Sequence, residues 1–250
     1  MSQPQNPVVV IPARMPARRL PGKPLADICG VPMIVHVWRR AVEADLGPVV
    51  VACAEAEIAD AVTTAGGRTV MTRPDHTSGS DRVFEAVEAI DEEGRFDAVI
   101  NLQGDLPAIA PDAVGAALAP LAEEAVDIGT LAAVAAPEER DDPNVVKAVV
   151  SLAAGASIGR ALYFSRAPVP SGDGPLYHHI GIYAFRRAAL ARFVGLAPGV
   201  MEKRERLEQL RALENGMRID VALVDTVPLG VDTPADLERA RQLLDTPRKE

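Results

Sequence analysis

The chain contains 250 residues, of which 48% are hydrophobic and 24% are charged, and its formal net charge is −9. This length and composition allow a full hydrophobic core, either in one α/β domain or in a domain that carries a smaller lobe. The acidic balance argues against a broad nucleic-acid surface, because such surfaces spread many Lys and Arg residues over one face.

Short runs of β-branched residues alternate with longer, Ala-rich amphipathic stretches in the first part of the chain. This alternation is typical of βαβ units, in which helices cover both faces of a parallel sheet. We therefore predict an α/β fold with a mostly parallel sheet and flanking helices. The predicted strands cover residues 8–11, 49–52, 69–71, 98–102, 128–134 and 145–151. The predicted helices cover residues 33–44, 55–65, 81–90 and 113–124, the last of them starting at Pro111-Asp112.

The later part of the chain has a less regular pattern. Residues 157–174 are rich in Gly, Pro and Ser, which predicts a surface excursion. Strands are predicted at 177–185 and 218–224, with a charged helix at 201–214 between them. Thr233 followed by Pro234 predicts the start of a final helix that runs to about residue 244, because Thr caps helices and Pro suits the first helical position.

Two further observations bear on the compartment. Cys29 and Cys53 lack the number and spacing of a disulfide framework or a zinc site, which favours a reducing cytoplasm. The apolar run from Val8 to Ile11 is far too short to be a signal-peptide core or a membrane span. We therefore expect a cytoplasmic protein that has neither a nucleic acid nor a membrane as its partner.

A basic loop follows the first predicted strand. It reads Ile-Pro-Ala-Arg-Met-Pro-Ala-Arg-Arg-Leu-Pro-Gly-Lys-Pro from Ile11 to Pro24. Ligands of open α/β sheets bind where the strands end, and the prolines restrict the loop, so the cations of Arg14, Arg19 and Lys23 can converge at little entropic cost. Convergent Arg and Lys side chains suit a triphosphate. The Walker and dinucleotide glycine patterns are absent from this loop, which removes most support for a kinase or a dehydrogenase.

Two aspartates are candidate metal ligands. Asp105 ends the segment Asn-Leu-Gln-Gly-Asp after a predicted strand, and Asp232 lies in Gly-Val-Asp-Thr-Pro before the last helix. Each has a purely structural alternative, because Gly-Asp can be a plain turn and an acid at a helix start contributes only ~0.3–1 kcal/mol. Magnesium takes one or two carboxylates together with substrate phosphates and waters, so these two residues would suffice.

The Pro-Ala-Arg and Arg-Leu-Pro-Gly-Lys-Pro segments resemble the opening motif of the sugar-nucleotidyl transferases, most closely the 3-deoxy-manno-octulosonate cytidylyltransferases. The resemblance implies a Rossmann-like fold of the nucleotide-diphospho-sugar transferase type, in which the basic loop wraps the triphosphate of CTP and Asp105 and Asp232 hold Mg²⁺. Arg14, Lys23 and both aspartates would then be catalytic. The segment from His76 to Arg82 is similar to a Ser-Gly-x-Glu-Arg turn of the family, which implies that Ser78, Gly79 and Arg82 lie near the nucleotide and help to read cytosine.

Two later segments are similar to the sugar-binding half of the same family. They are His178-His179-Ile180-Gly181-Ile182-Tyr183 and Leu207-Glu208-Gln209-Leu210-Arg211. The resemblance implies one domain over residues 1–250, with a sugar-binding and dimerisation lobe at about 157–217. It also implies that His179, Glu208 and Gln209 contact the substrate, that Gln103 and His179 lie near the sugar carboxylate, and that the protein is a homodimer.

The expected reaction transfers CMP from CTP to the anomeric hydroxyl of 3-deoxy-D-manno-octulosonate, with loss of pyrophosphate. Two departures from the family pattern stand out: Ala17-Arg18 replaces a small hydroxyl residue before the second arginine, and Leu106 replaces a glutamate. Three alternatives stay open. They are a cytidylyltransferase for a sialic-acid-like or amino-modified octulosonate sugar, a uridylyl or guanylyl transferase, and a non-catalytic nucleotide-binding regulator.

Overall fold

A computed structural model of the protein describes residues 3–16 and 19–245, so the Ala17-Arg18 departure lies outside the described residues. The chain forms two compact units. The first unit contains the described residues of Asn6–Gly115 and those from Pro228 onward. The second contains Ala116–Val227 and the described residues before Asn6, and it includes the predicted lobe at 157–217.

The first unit contains a parallel sheet with the strand order β5-β4-β1-β6. The apolar residues of its central strand are fully buried from Val8 to Ile11, as expected for a strand covered on both faces. The strands are β1 (Pro7–Ala13), the short pair β2 (Asp27–Ile28) and β3 (Val31–Pro32), β4 (Val49–Cys53), β5 (Arg68–Met71) and β6 (Ala98–Asn101). The helices are α1 (Met33–Glu43), α2 (Ala56–Thr64), α3 (Gly79–Ile90), α4 (Pro111–Ala116), which reaches the unit boundary, and α8 (Pro234–Asp245).

Helix α8 is held at its start by a reciprocal cap. The Asp236 backbone N–H donates to Thr233 Oγ1 at 3.2 Å, and the Thr233 backbone N–H donates to Asp236 Oδ2 at 2.9 Å. Leu237 and Ala240 of this helix pack with Val231 into a core cluster that also contains Ile28 and Met33. The predicted start of the last helix is confirmed, and the cluster fixes the segment before it on the first unit.

The second unit contains mostly antiparallel strands. Their order is β10-β7-β11-β9-β8, and β10 also pairs with β8, so the pairings form a closed cycle. Only the β7 and β11 pairing is parallel among the strand pairs that the structure describes within this unit. The strands are β7 (Ile128–Val134), β8 (Lys147–Ser151), β9 (Ile158–Ser165), β10 (Tyr177–Arg186) and β11 (Ile219–Leu223). The helices are α5 (Arg187–Val194), α6 (Val200–Glu205) and α7 (Leu210–Glu214).

The structure corrects three predictions of local structure. The excursion predicted from residue 157 was wrong over β9, in which Ala161 and Phe164 are buried, and the irregular segment starts only after this strand. The charged helix predicted at 201–214 is broken, because Arg206 adopts a left-handed conformation with φ of 58° and α7 begins four residues later. The helix predicted at 113–124 ends with α4 and is followed by a 3₁₀ turn at Ala119–Ala122. Helix α5 was not predicted.

In the part of the chain that the structure describes, no helix is both long enough and apolar enough to cross a membrane.

Candidate active site

The first unit contains a pocket of about 810 Å³ that is lined by the segments following β1, β5 and β6. These strands are parallel, so the segments meet at the edge where α/β proteins bind ligands. Its lining residues are Pro12, Ala13, Arg14, Pro16, Arg19, Leu20, Lys23, Pro24, His76, Ser78, Gly79, Arg82, Gln103, Gly104, Asp105 and Asp232. The structure therefore places all nine predicted site residues of this unit in one pocket, and their individual roles stay predictions.

Lys23 lies in the pocket together with three other charged residues, Arg19, Asp105 and Asp232. Lys23 Nζ lies 2.8 Å from Asp105 Oδ2 and 3.0 Å from Asp232 Oδ1. Arg19 Nη2 lies 2.8 Å from Asp232 Oδ2. Burial acts to lower the pKa of Lys23, but the ion pairs with Asp105 and Asp232 outweigh it and raise that pKa above its ordinary value. Lys23 is thus a fixed positive charge between the two carboxylates.

Local backbone structure explains how these side chains meet. Gly22 precedes Lys23 with φ of 68°, a conformation that glycine adopts without a steric penalty, and this turn starts the 3₁₀ segment Lys23–Leu25. The Val231 backbone N–H donates to the Asp105 carbonyl oxygen at 2.9 Å. This hydrogen bond joins the loop after β6 to the segment before α8. Asp105 and Asp232 are therefore held together by the main chain as well as by Lys23.

The amino end of α3 forms another wall of the pocket. Ser78 is its N-cap and accepts a hydrogen bond from the Asp81 backbone N–H at 3.1 Å. Arg82 is 3% exposed and its guanidinium donates to the hydroxyl of Thr72. A helix amino end carries a partial positive charge, so this wall favours a negatively charged or hydrogen-bond-accepting ligand.

Gly104 allows the pocket floor to approach the backbone of Pro12 closely, whereas Gly79 lies at an ordinary distance from it. A Cβ on Gly104 would lie 3.0 Å from the Pro12 carbonyl oxygen, which is tighter than an ordinary contact. A Cβ on Gly79 would lie 3.5 Å from Pro12 Cγ, which is an ordinary van der Waals distance. Gln103, beside Gly104, donates from Nε2 to Asn101 Oδ1 at 3.0 Å. The close approach of backbone to backbone explains the glycine at position 104.

His76 lines the pocket but was given no role from the sequence. Its side chain is 6% exposed, and Nε2 is hydrogen-bonded to the side chain of Glu85 of α3. Glu85 also accepts from the Arg73 backbone N–H, at 3.2 Å to Oε1 and 3.3 Å to Oε2. The sequence contains no local signal for this pair, because His76 lies before α3 and its contact with Glu85 depends on how the helix packs.

The second unit contains the predicted sugar-binding residues. His179 is 7% exposed, and its Nε2 lies 3.0 Å from Thr130 Oγ1. Burial, followed by the neighbouring His178, lowers the pKa of His179 to about 3, so its ring is neutral. Gln209 is buried, and Glu208 lies 4.0 Å from Arg211 Nη2. Contact of His179, Glu208 and Gln209 with a substrate remains a prediction.

The sequence profile of the cytidylyltransferase family matches residues 8–219. The chain belongs to the cytidylyltransferase family. This cytidylyltransferase is 69% identical to a 3-deoxy-manno-octulosonate cytidylyltransferase of Paramagnetospirillum magneticum, over 96% of the chain and 98% of the relative. It is 68% identical to a protein of the same name from Rhodospirillum centenum, over 97% of the chain and 95% of the relative.

Solved structures agree with this family. A CMP:2-keto-3-deoxy-manno-octonic acid synthetase in complex with CTP is 40% identical to this cytidylyltransferase and superposes with a TM-score of 0.89, covering 96% of the chain and 99% of that protein. A cytidylyltransferase from Leptospira borgpetersenii serovar Hardjo-bovis is 13% identical, with a TM-score of 0.62, and covers 96% of the chain and 87% of that protein. The second likeness concerns the fold alone.

Proposed function

We propose that the protein transfers CMP from CTP to the anomeric hydroxyl of 3-deoxy-D-manno-octulosonate and releases pyrophosphate. The observation that carries the proposal is the pocket in which Lys23 and Arg19 meet Asp105 and Asp232. It occurs in a chain that is 69% identical to a named 3-deoxy-manno-octulosonate cytidylyltransferase. The product would serve lipopolysaccharide synthesis, and the enzyme would act in the cytoplasm.

The chemistry requires alignment more than covalent catalysis. The sugar hydroxyl attacks the α-phosphorus of CTP, a new P–O bond forms, and the bond to the pyrophosphate oxygen breaks. Such transfers depend on positioning and on cations opposite the developing charge. Arg14, Arg19 and Lys23 would hold the triphosphate so that its α-phosphorus faces the hydroxyl and the departing pyrophosphate stays bound to cations.

Asp105 and Asp232 would hold Mg²⁺. Within residues 3–16 and 19–245, no group of three or more His, Cys, Asp or Glu side chains could hold a metal ion by itself. Two carboxylates that meet around one ammonium group nevertheless fit magnesium, because this ion typically takes only one or two carboxylates and completes its shell with phosphates and waters. When bound, magnesium would neutralise part of the charge on the phosphates.

The leucine at position 106 does not remove a proposed metal ligand, which favours an active enzyme over a regulator that has lost catalysis. Its side chain is 8% exposed, and its Cδ2 would contact a Cβ on Gly230 at 3.9 Å. The residue packs into the first unit next to the metal-binding segments and is not part of the pocket lining. The absence of a carboxylate at position 106 therefore does not affect the proposed ligands Asp105 and Asp232.

We propose that His179, Glu208 and Gln209 of the second unit bind the sugar. We propose that Gln103 of the first unit also contacts substrate. We also propose a homodimer that forms through the second unit. Light scattering coupled to gel filtration would measure the molar mass and so test the dimer. The mass of a monomer at micromolar concentration would contradict it.

The function is tested by pyrophosphate release in reactions that pair CTP, UTP or GTP with one of three acidic sugars. These sugars are 3-deoxy-D-manno-octulosonate, its 8-amino analogue and a sialic acid. We expect the highest kcat/KM with CTP and 3-deoxy-D-manno-octulosonate. We also expect mass spectrometry to identify the CMP-sugar as the product. A higher kcat/KM with another sugar, or turnover in reactions without a sugar, would overturn the proposal.

A further inference from the structure

The side chain of Glu55 connects the start of α2 to the basic loop. Glu55 is the N-cap residue of α2, yet its side chain forms no capping hydrogen bond with the amide groups of that helix. Instead, Oε1 accepts a hydrogen bond from the Met15 backbone N–H at 3.2 Å. Met15 follows Arg14 in the basic loop, so this hydrogen bond joins two segments that lie 40 residues apart in the sequence.

The stability of α2 does not explain a glutamate at this position. Oε2 of Glu55 is shielded from solvent and accepts no hydrogen bond from any residue that the structure describes. A buried acceptor without a donor destabilises a folded protein, and Asp, Asn, Ser or Thr would cap the helix better. The longer side chain of glutamate is explained by its reach to the Met15 backbone.

Met15 lies between two proposed phosphate-binding cations in the chain. Arg14 precedes it directly and lines the pocket. The Met15 side chain extends to the turn before Lys23, because a Cβ on Gly22 would lie 4.0 Å from Met15 Cε. A displacement of the Met15 backbone would therefore move Arg14 through the covalent chain and would remove a contact at the turn that positions Lys23.

We propose that Glu55 is a positioning residue for the basic loop, and that it holds Met15 so that Arg14 and Lys23 are in place before the triphosphate binds. Glu55 is not part of the pocket lining, so it acts through the loop. Cations that converge without a phosphate between them repel one another, and an anchor in the free enzyme opposes this repulsion. A loop that is already ordered loses less conformational entropy on binding, which raises the affinity for the ligand. The inference deepens the proposed use of CTP and rests on it.

The first measurement uses trypsin and needs no substrate, because mobile loops are the preferred sites of proteolysis. Cleavage after Arg14 and Arg19 should be about fivefold faster in Glu55→Ala, since loss of one hydrogen bond raises the population of the released loop by about that factor. Glu55→Gln should keep the slow rate, because its amide oxygen accepts from the same N–H.

Glu55→Asp separates the positioning of the loop from the stability of the fold. Its side chain is one methylene shorter, so the carboxylate no longer reaches Met15 and the loop should be cleaved as fast as in Glu55→Ala. Aspartate is a preferred N-cap residue, so the melting temperature should be no lower than that of the unmodified protein. A purely structural role for Glu55 would not give a looser loop in an equally stable protein.

The second measurement combines steady-state pyrophosphate release with the Kd of CTP from calorimetry. Glu55→Ala and Glu55→Asp should each raise the KM and the Kd for CTP about fivefold, because the loop is no longer ordered in advance. The value of kcat at saturating CTP should change by less than about twofold, and the KM of the sugar should stay the same. Loss of a phosphate-binding cation would lower kcat instead.

Glu57→Ala is the matched control, because Glu57 is an exposed acid in the first turn of the same helix. It should leave both the cleavage rate and the KM for CTP unchanged. If thermal melting shows that Glu55→Ala does not fold, Glu55→Asp supplies the result. Unchanged cleavage, or an unchanged KM for CTP, in the folded Glu55→Asp enzyme overturns the inference. An unmodified enzyme that does not use CTP refutes the proposed function instead, and the cleavage rates still decide whether Glu55 holds the loop.

Discussion

Lys23 Nζ lies 2.8 Å from Asp105 Oδ2 and 3.0 Å from Asp232 Oδ1, so one ammonium group occupies the space between the two proposed magnesium ligands. A metal ion bound between these oxygens would displace the Lys23 ammonium group. If Asp105 and Asp232 hold magnesium as proposed, Lys23 would move away from them, and the triphosphate would offer it new partners. Metal and nucleotide should bind cooperatively, and by linkage each should raise the affinity for the other.

The first prediction follows from this competition. Lys23→Ala should bind Mn²⁺, a spectroscopic probe of the magnesium site, about tenfold more tightly than the unmodified protein in the absence of CTP. Its turnover should nevertheless fall by roughly 10²–10³, as expected for loss of a preorganised charge at the phosphates. Electron paramagnetic resonance titration measures the first effect and pyrophosphate release the second. Lys203→Ala, which removes an exposed lysine of the second unit, is the control, and weaker Mn²⁺ binding by Lys23→Ala would contradict the competition.

The second prediction concerns the two aspartates. Asp105→Asn and Asp232→Asn should each lower kcat by at least about 10², and the double variant should be little worse than either, because the two residues act as one unit. Stability should hardly change in Asp232→Asn, since the helix cap is formed by Thr233 and Asp236. Asp236→Asn is the matched control and should lower the melting temperature more than the activity. An active Asp232→Asn enzyme with an unaltered magnesium requirement would remove Asp232 from the metal site.

The third prediction concerns the floor of the pocket. Gly104→Ala places a Cβ 3.0 Å from the backbone oxygen of Pro12, so the strand or the loop must shift. Overpacking of this kind costs about 1–3 kcal/mol, which lowers the melting temperature of a protein of this size by several degrees. Gly79→Ala meets Pro12 Cγ at 3.5 Å and should keep or raise the melting temperature, because alanine favours the helix. Calorimetric melting of both variants measures the difference, and equal melting temperatures would contradict the steric argument.

The fourth prediction concerns pH and His179. Its pKa is about 3 in the folded protein, against 6.5 for an ordinary histidine. Between these values the unfolded chain binds a proton that the folded chain does not, so the free energy of unfolding should fall as the pH is lowered from 6.5 toward 3. The expected loss is about 1.4 kcal/mol per pH unit from this group. Urea unfolding between pH 7 and 4.5 should show a shallower pH dependence for His179→Gln than for the unmodified protein.

His178→Gln provides the comparison for that experiment. His178 lies 3.0 Å from Glu139 and is the smaller of the two causes that lower the pKa of His179, so most of the steep pH dependence should remain when it is removed. The same slope in all three proteins would mean that His179 takes up a proton in the folded state.

The parallel strands of the first unit and the positions of its charged loops could be predicted from the sequence. Continuous β-branched runs such as Val8 to Ile11 predict buried strands, and residues that follow parallel strands must meet at one edge. For this reason the sequence correctly predicts that Arg14, Lys23 and Asp105 lie close together. The position of Asp232 beside them is predicted from the family resemblance.

Side-chain pairing could not be predicted in the same way. The contact of His76 with Glu85 depends on the angle at which α3 meets the strand end, and that angle is set by tertiary packing. Strand β9 was missed because the glycines and prolines that follow it dominate the local composition, although the burial of Phe164 shows a normal strand face. The break at Arg206 was missed because a charged residue in a left-handed conformation has no local sequence signal.

The first unit is interrupted in sequence by the second, and this determines the order in which the residues of the pocket are synthesised. Arg19, Lys23 and Asp105 are synthesised before almost all of the second unit, and Asp232 only after all of it. Until then, Lys23 has one of its two carboxylate partners, and the cluster of Ile28 and Met33 lacks Val231. A nascent chain that has not finished the second unit therefore cannot assemble the charged centre, so the site becomes complete only when the rest of the protein has been made.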